Sequence, residues 1–93
     1  MTAPELTVNQ FGYRHLLRKD VKGSLPFFRR IVELDPGSAN VHDSPGEALE
    51  AGGNHAEALA CHEKAVEIAT KSSDPLLGAF TRIRDRLAAA RAR

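Results

Sequence analysis

Residues 41–69, VHDSPGEALEAGGNHAEALACHEKAVEIA, gather His42, His55, His62, the single cysteine Cys61 and five glutamates into one stretch. Three chemistries use such residues. A structural zinc ion needs four convergent ligands, usually in paired short spacings. No such pairing exists here: His62 adjoins Cys61, and on a helix the two side chains diverge by about 100°. A thiol nucleophile needs a thiolate, a neighbouring base and an oxyanion donor. Cys61 falls mid-helix, where no helix N-terminus lowers its pKa and no backbone N–H is free. Acid–base work needs paired carboxylates, and Glu63 and Glu67 are such a pair. Their i, i+4 spacing, however, describes an exposed, solvated helix face. The Gly52-Gly53 turn lacks a following Lys-Ser/Thr and a preceding strand, so it is not a phosphate loop. These residues therefore predict a scaffold with polar substitutions: no enzyme, no metal site, no cofactor.

The elements that carry these residues follow from the breakers. Gly23, Pro26, Pro36-Gly37-Ser38, Pro45-Gly46, Gly52-Gly53-Asn54 and Lys71 to Pro75 cut the chain into runs rich in Ala, Leu, Glu, Lys and Arg. None of these runs alternates as a strand would. The clearest helix is 55–70, where Leu59, His62, Val66 and Ala69 recur at helical steps, with Asn54 as N-cap and Glu57 closing a capping box. A second spans 75–91, with Asp74 as cap, Pro75 at its first position and a stripe of Leu76, Phe80, Ile83, Leu87 and Ala90. Arg82, Arg86 and Arg93 fall away from that stripe. Further helices are expected at 5–18, at 24–34 and through 45–51, the last open to an earlier start. Pro26 and Pro45 argue for shortened or kinked helices, because an interior proline costs roughly 3 kcal/mol. Ser24 and Ser44 would then serve as N-caps. The expected fold class is all-α, a single domain over 1–93.

Composition excludes several partners. The 93 residues carry 13 basic and 12 acidic side chains, so no global field favours nucleic acid or an anionic membrane. The arginines at 82, 84, 86, 91 and 93 suit a helix C-terminus, and Asp85 dilutes them. One cysteine cannot form an internal disulfide. The opening MTAPELTVNQ has neither the basic nor the apolar region of a signal peptide, and no run approaches the roughly 20 apolar residues of a membrane span. A soluble, cytoplasmic protein is expected.

A shift of 34 residues superimposes Gly12 on Gly46, Leu25 on Leu59, Val32 on Val66 and Glu33 on Glu67, and sets Ser24 against Ala58. That period is the length of a helix–turn–helix repeat. LTVNQFGYRHLLRKDVKGSLPFFRRIVELDP and ANVHDSPGEALEAGGNHAEALACHEKAVEI each fit one such unit, and the chain resembles the tetratricopeptide repeat family. The wording ELDPGSANVHDSPGEA is also similar to repeats appended to bacterial hydrolases of the serine β-lactamase type, although their Ser-x-x-Lys motif is missing here. The resemblance implies one repeat over 5–38, a second over 39–72 and a capping helix over 75–91. These antiparallel helix pairs would stack as a short right-handed superhelix. Gly12 and Gly46 are then the small residues that admit the second helix of each pair. His42 and His62 stand where the family prefers aromatics, pointing between the paired helices, and His55 faces solvent.

The same resemblance implies function. Such arrays bind peptides in a concave groove lined by their first helices. Here that groove would show Asn9, Gln10, Tyr13, Asp43, Ser44, Glu47 and Glu50, with Leu77, Thr81 and Arg84 from the cap. The set is acidic and polar with one aromatic anchor, Tyr13. It lacks the cationic clamp for a chaperone C-terminal tail and suits a basic or polar peptide. The alternative is a self-associating homodimer formed by exposed repeat edges, through Leu6, Phe11 and Leu16 or by exchange of the last helix.

Overall fold

A computed structural model describes residues 3–91, with side chains from Thr7 onward. It contains five helices: α1 (Ala3–Leu17), α2 (Val21–Leu34), α3 (Ala39–Ala51), α4 (His55–Ser72) and α5 (Leu77–Arg91). No strand occurs among the described residues. The connections are three or four residues long, short enough to fold each helix back on the one before it. The principal packing is accordingly between helices adjacent in sequence, and α3 lies between α2 and α4.

The 34-residue period is a property of the fold as well as of the sequence. Helices α1 and α3 end at Leu17 and Ala51, and α2 and α4 begin at Val21 and His55. The N-caps Asp20 and Asn54 stand at the same interval. So do the left-handed residues that end α1 and α3, Lys19 at φ 63° and Gly53 at φ 84°. At both ends a backbone N–H reaches back five residues, Asp20 to His15 O (2.9 Å) and Asn54 to Leu49 O (2.8 Å), which satisfies a terminal carbonyl. Ser73, at φ 54°, ends α4 in the same way.

Three small clusters make the core. Phe28, Ile31, Val41 and Ala48 join α2 to α3, with Tyr13 and Leu16 of α1 against them. Ala39, Ala65, Ala69 and Phe80 join α3, α4 and α5, and Leu49, Ala58 and Leu87 close the far end. Close approach depends on two glycines. A Cβ at Gly12 would come 2.6 Å from Phe28 Cε1, and one at Gly46 would come 2.8 Å from His62 Cε1. These two pairs are again 34 residues apart.

The prolines do not behave as their local chemistry predicts. Helix α2 begins before Pro26 and α3 before Pro45, so neither is shortened, and Ser24 and Ser44 are buried interior residues rather than caps. Upstream chemistry decides this. Asp20 Oδ1 accepts from Gly23 N–H (3.0 Å) and starts α2 at Val21. In α3 the residues ahead of Pro45 are core: Val41 is fully buried and Ala39 is 3 % exposed. Burying a valine contributes about 1.5–3 kcal/mol, which offsets much of the proline's cost.

Two other boundaries shift. Asn54 occupies the N-cap position of α4 but makes no side-chain capping bond. Residues 75 and 76 form a turn, in which Asp74 Oδ1 accepts from Leu76 N–H (2.8 Å), and α5 begins at Leu77. Its inner stripe therefore runs through Leu77, Phe80 and Leu87. Leu76 (47 % exposed) and Ala90 lie outside it.

Candidate functional site

Asp43, Glu47 and Glu50 recur at four- and three-residue steps on α3, which places their carboxylates on one helix face. They line an open cleft of about 310 Å³, completed by His62 from α4 and by Ile83 and Arg86 from α5. The α5 wall is tied to α3 by Arg86 Nη2, which donates to both oxygens of Glu50 (3.2 and 3.3 Å). At the base, His62 is 2 % exposed and its Nδ1 lies 3.2 Å from Asp43 Oδ1. A carboxylate only accepts, so Nδ1 carries the proton of that bond and, in the neutral ring, Nε2 is left as an acceptor. Nε2 is buried and has no hydrogen-bond partner among the described residues.

The rim continues toward α1. Tyr13 packs edge-on against Phe28 (centroids 5.0 Å apart), donates from its hydroxyl to Glu47 Oε2 (2.8 Å) and stands 3.2 Å from Ser44 Oγ. Burial pushes its phenol up to about 12; Ser44 pulls it back, while Glu47 and Asp43 add to the rise. The tyrosine thus joins α1 to α3 and is not a freely projecting anchor.

The structure brings together Tyr13, Asp43, Ser44, Glu47 and Glu50 of the expected groove. Asn9 sits one turn before Tyr13, half-buried, with a buried Oδ1 lacking a partner among the described residues. Gln10 is exposed and forms no part of the cleft. Arg84 turns to Asp85 (Nη2–Oδ1 2.8 Å) and does not line the cleft, and Leu77 packs into the core beside Phe80. Arg86, expected to fall away with the solvated residues, supplies the α5 contact instead. His62, Ile83 and Arg86 are the members that reasoning from the sequence left out. For the α5 pair the signal is in the spacing: Ile83 stands four residues before the inward Leu87, and Arg86 stands three residues after Ile83.

A second, more apolar groove of about 340 Å³ lies on the other side of α3, lined by Leu25, Val32, His42, Pro45, Leu49 and Cys61 among others. His42 is half-buried there and donates from Nε2 to Pro36 O (2.9 Å), so it braces the α2–α3 turn rather than filling the space between paired helices. Burial, and then the Glu57 carboxylate, push the Cys61 thiol up, which disfavours the nucleophilic thiolate. His55 is exposed, and Glu67 pairs with Lys71 (3.2 Å) and Lys64 (3.7 Å) on the outer face of α4. Among the described residues no group of three or more His, Cys, Asp or Glu is placed to hold a metal ion, and no helix is long and apolar enough to cross a membrane.

Charge is unevenly distributed over these helices. Residues 39–72 carry six acidic side chains against two basic, and 77–91 carry four basic against one acidic, so the cleft lies where the two fields meet. Comparison with protein-family models, with curated proteins and with solved structures returns no match for this chain.

Proposed function

We propose that the chain is a non-catalytic, tetratricopeptide-like module that binds a peptide or protein segment in the cleft between α3 and α5. One observation carries this reading: three carboxylates of one α3 face converge on a single cleft that has an apolar wall at Ile83 and a polar rim at Tyr13. Such a surface offers charge-assisted hydrogen bonds to a basic or polar segment, with apolar contact beside them. Among the described residues it offers no cationic clamp for a C-terminal carboxylate, because the one arginine lining it, Arg86, is held by Glu50. The 34-residue recurrence of helix ends and of the Gly12–Phe28 and Gly46–His62 contacts supports the family resemblance. The same reading expects no cofactor, no nucleic acid and no membrane partner. Screening a peptide array with the labelled chain, then mapping hits by amide shifts, tests it. Hits that perturb residues 43–50 and 83–86 support the assignment, and hits that map elsewhere refute it.

A second reading is self-association through the outer edge of α1 and α2. Phe11, 44 % exposed, stacks on Phe27 (5.8 Å), which in turn stacks on His15 (5.3 Å). Leu16 is half-buried against the core and is not part of that edge, and the Leu6 side chain lies outside the described residues. Light scattering over a concentration series decides it: a dimer at micromolar concentration that Phe11→Glu dissolves would establish the edge as an interface.

A further inference from the structure

We infer that the outer edge of α1 and α2 is the docking surface for an acidic amphipathic helix of a partner protein, which lies there as α2 lies on α3 and α4. The inference goes beyond the cleft reading and shares no contact residue with it. It also gives the edge a different occupant from the second copy considered above.

The 34-residue period identifies the surface. Within the chain, the pair α3 and α4 turns five residues toward α2. Ala48 packs with Phe28 and Ile31, and Leu25 lies against the cluster that contains Leu49. A Cβ at Gly52 would stand 3.0 Å from Val21 Cγ1, and Pro45 and Cys61 line the groove that Leu25 borders. Thirty-four residues earlier these five positions are Arg14, His15, Arg18, Phe11 and Phe27. The first helix pair thus repeats the face that receives a helix in the second, and no other helix of the described residues lies on it. Phe11 is left 44 % exposed there, stacked on Phe27.

Charge sets the two faces apart and names the occupant. Where the second pair has Ala48 and Gly52, the first has two arginines four residues apart, on one side of α1. Arg14 Cζ lies 5.4 Å from the Phe11 ring centroid, and Arg18 is exposed. Among the described residues no carboxylate pairs with either. The nearby acids are already engaged: Asp20 by His15 and Gly23 N–H, and Glu33 by Arg30. Residues 3–34 carry six basic side chains against three acidic. A helix with an apolar stripe for the two phenyl rings and carboxylates beside it satisfies both demands. Pairing the edge with its own copy sets a basic rim on a basic rim, which like-charge repulsion opposes. A nucleobase needs a bare aromatic face, and Phe11 has Phe27 stacked on it and Arg14 over its ring.

The test is an amide-shift titration of the full chain. The probe is a capped peptide of two Glu-Leu-Ala-Glu-Leu-Ala-Glu heptads, compared with its lysine-for-glutamate and serine-for-leucine counterparts and with a short oligouridine. The acidic peptide is expected to saturate shifts at residues 11–18 and 27–34, with each counterpart peptide about ten-fold weaker or more. Arg14→Gln combined with Arg18→Gln is expected to weaken the acidic peptide about ten-fold, and Phe11→Ser several-fold. Arg91→Gln, an exposed arginine of α5, is expected to leave it unchanged. All three positions are exposed, and amide shifts outside α1 and α2 that match the parent show that each variant folds. Equal binding of the acidic and lysine peptides, tighter binding of oligouridine, or no shift at millimolar acidic peptide would overturn the proposal. So would a micromolar dimer, seen by light scattering, that the acidic peptide does not dissociate. The cleft reading is scored separately, by shifts at 43–50 and 83–86: an acidic helix that perturbs those residues alone overturns this inference, and array peptides that miss the cleft leave it standing.

Discussion

The imidazole of His62 lies directly against Gly46: a methyl group at Gly46 would sit 2.8 Å from Cε1 and 2.9 Å from Nε2 of the ring. Gly46→Ala therefore sets two effects against each other. Alanine improves helix propensity by about 1 kcal/mol, but overpacking a buried contact costs typically 1–3 kcal/mol. The clash should win, and Gly46→Ala should lower the denaturation midpoint. Gly78, by contrast, faces only Arg82 Nη1 at 3.6 Å, so Gly78→Ala should raise stability by about 0.5 kcal/mol. Urea unfolding of the two variants reads both signs, and equal effects would mean that α3 and α4 have slack between them.

Tyr13 is the only tyrosine and the chain has no tryptophan, so tyrosinate absorbance reports this one group. Its folded pKa, about 12, lies above the ordinary value of 10.0. A raised pKa means that the folded state holds the proton longer than the unfolded chain does. The associated stability is complete below pH 10 and is lost as pH rises from 10 to 12. Glu47→Gln should lower the absorbance midpoint without returning it to 10, because burial is the larger cause. A midpoint near 10 in the native protein would contradict the burial of the Tyr13 ring between α1 and α3.

Pro45 lines the apolar groove and sits in the seventh position of α3, where it has no N–H for the Val41 carbonyl. Pro45→Leu should restore that bond, and the groove has room for the larger side chain. We expect a gain of about 1–2 kcal/mol, below the roughly 3 kcal/mol of an unaccommodated interior proline. A lower melting temperature would show that the buried ring's own packing outweighs the missing bond.

Lys19 and Ser73 adopt left-handed backbone at the ends of α1 and α4, where glycine is normally preferred. Lys19→Gly and Ser73→Gly should each stabilise the fold, by up to about 1 kcal/mol. Gly53→Ala, at φ 84°, should do the reverse. Thermal melts of the three variants check the set.

Helix identity was largely legible because small and apolar residues recur in phase, as in Ala58, Ala65 and Ala69 of α4. The start of α3 was not. Ser44, Pro45 and Glu47 form a locally convincing first turn, and only burial of Ala39 and Val41 against partners distant in sequence overrides it. The α3 half of the cleft could be read from spacing alone. The α5 half could not, because one residue of ambiguity rotates a helix by about 100°. Arg84 and Arg86 lie about 200° apart around α5, and the packing of Phe80 and Leu87 on α4 is what turns Arg86 to the cleft. His62 was legible as a buried ring, but its pairing with Asp43 across 19 residues required the fold.

Because each helix leans chiefly on its neighbours in sequence, α5 is held at one side only, and end elements of such arrays detach before the middle. When α5 lifts away, the cleft loses Ile83 and Arg86, and the small residues Ala65 and Ala69 meet water. A segment that engages α3 and α5 together draws on the same equilibrium from the other direction. Amide exchange in α5 should therefore slow when the cleft fills and quicken when Arg86 is removed. On the proposed reading the last helix is a hinged wall, and its hydrogen exchange would register occupancy.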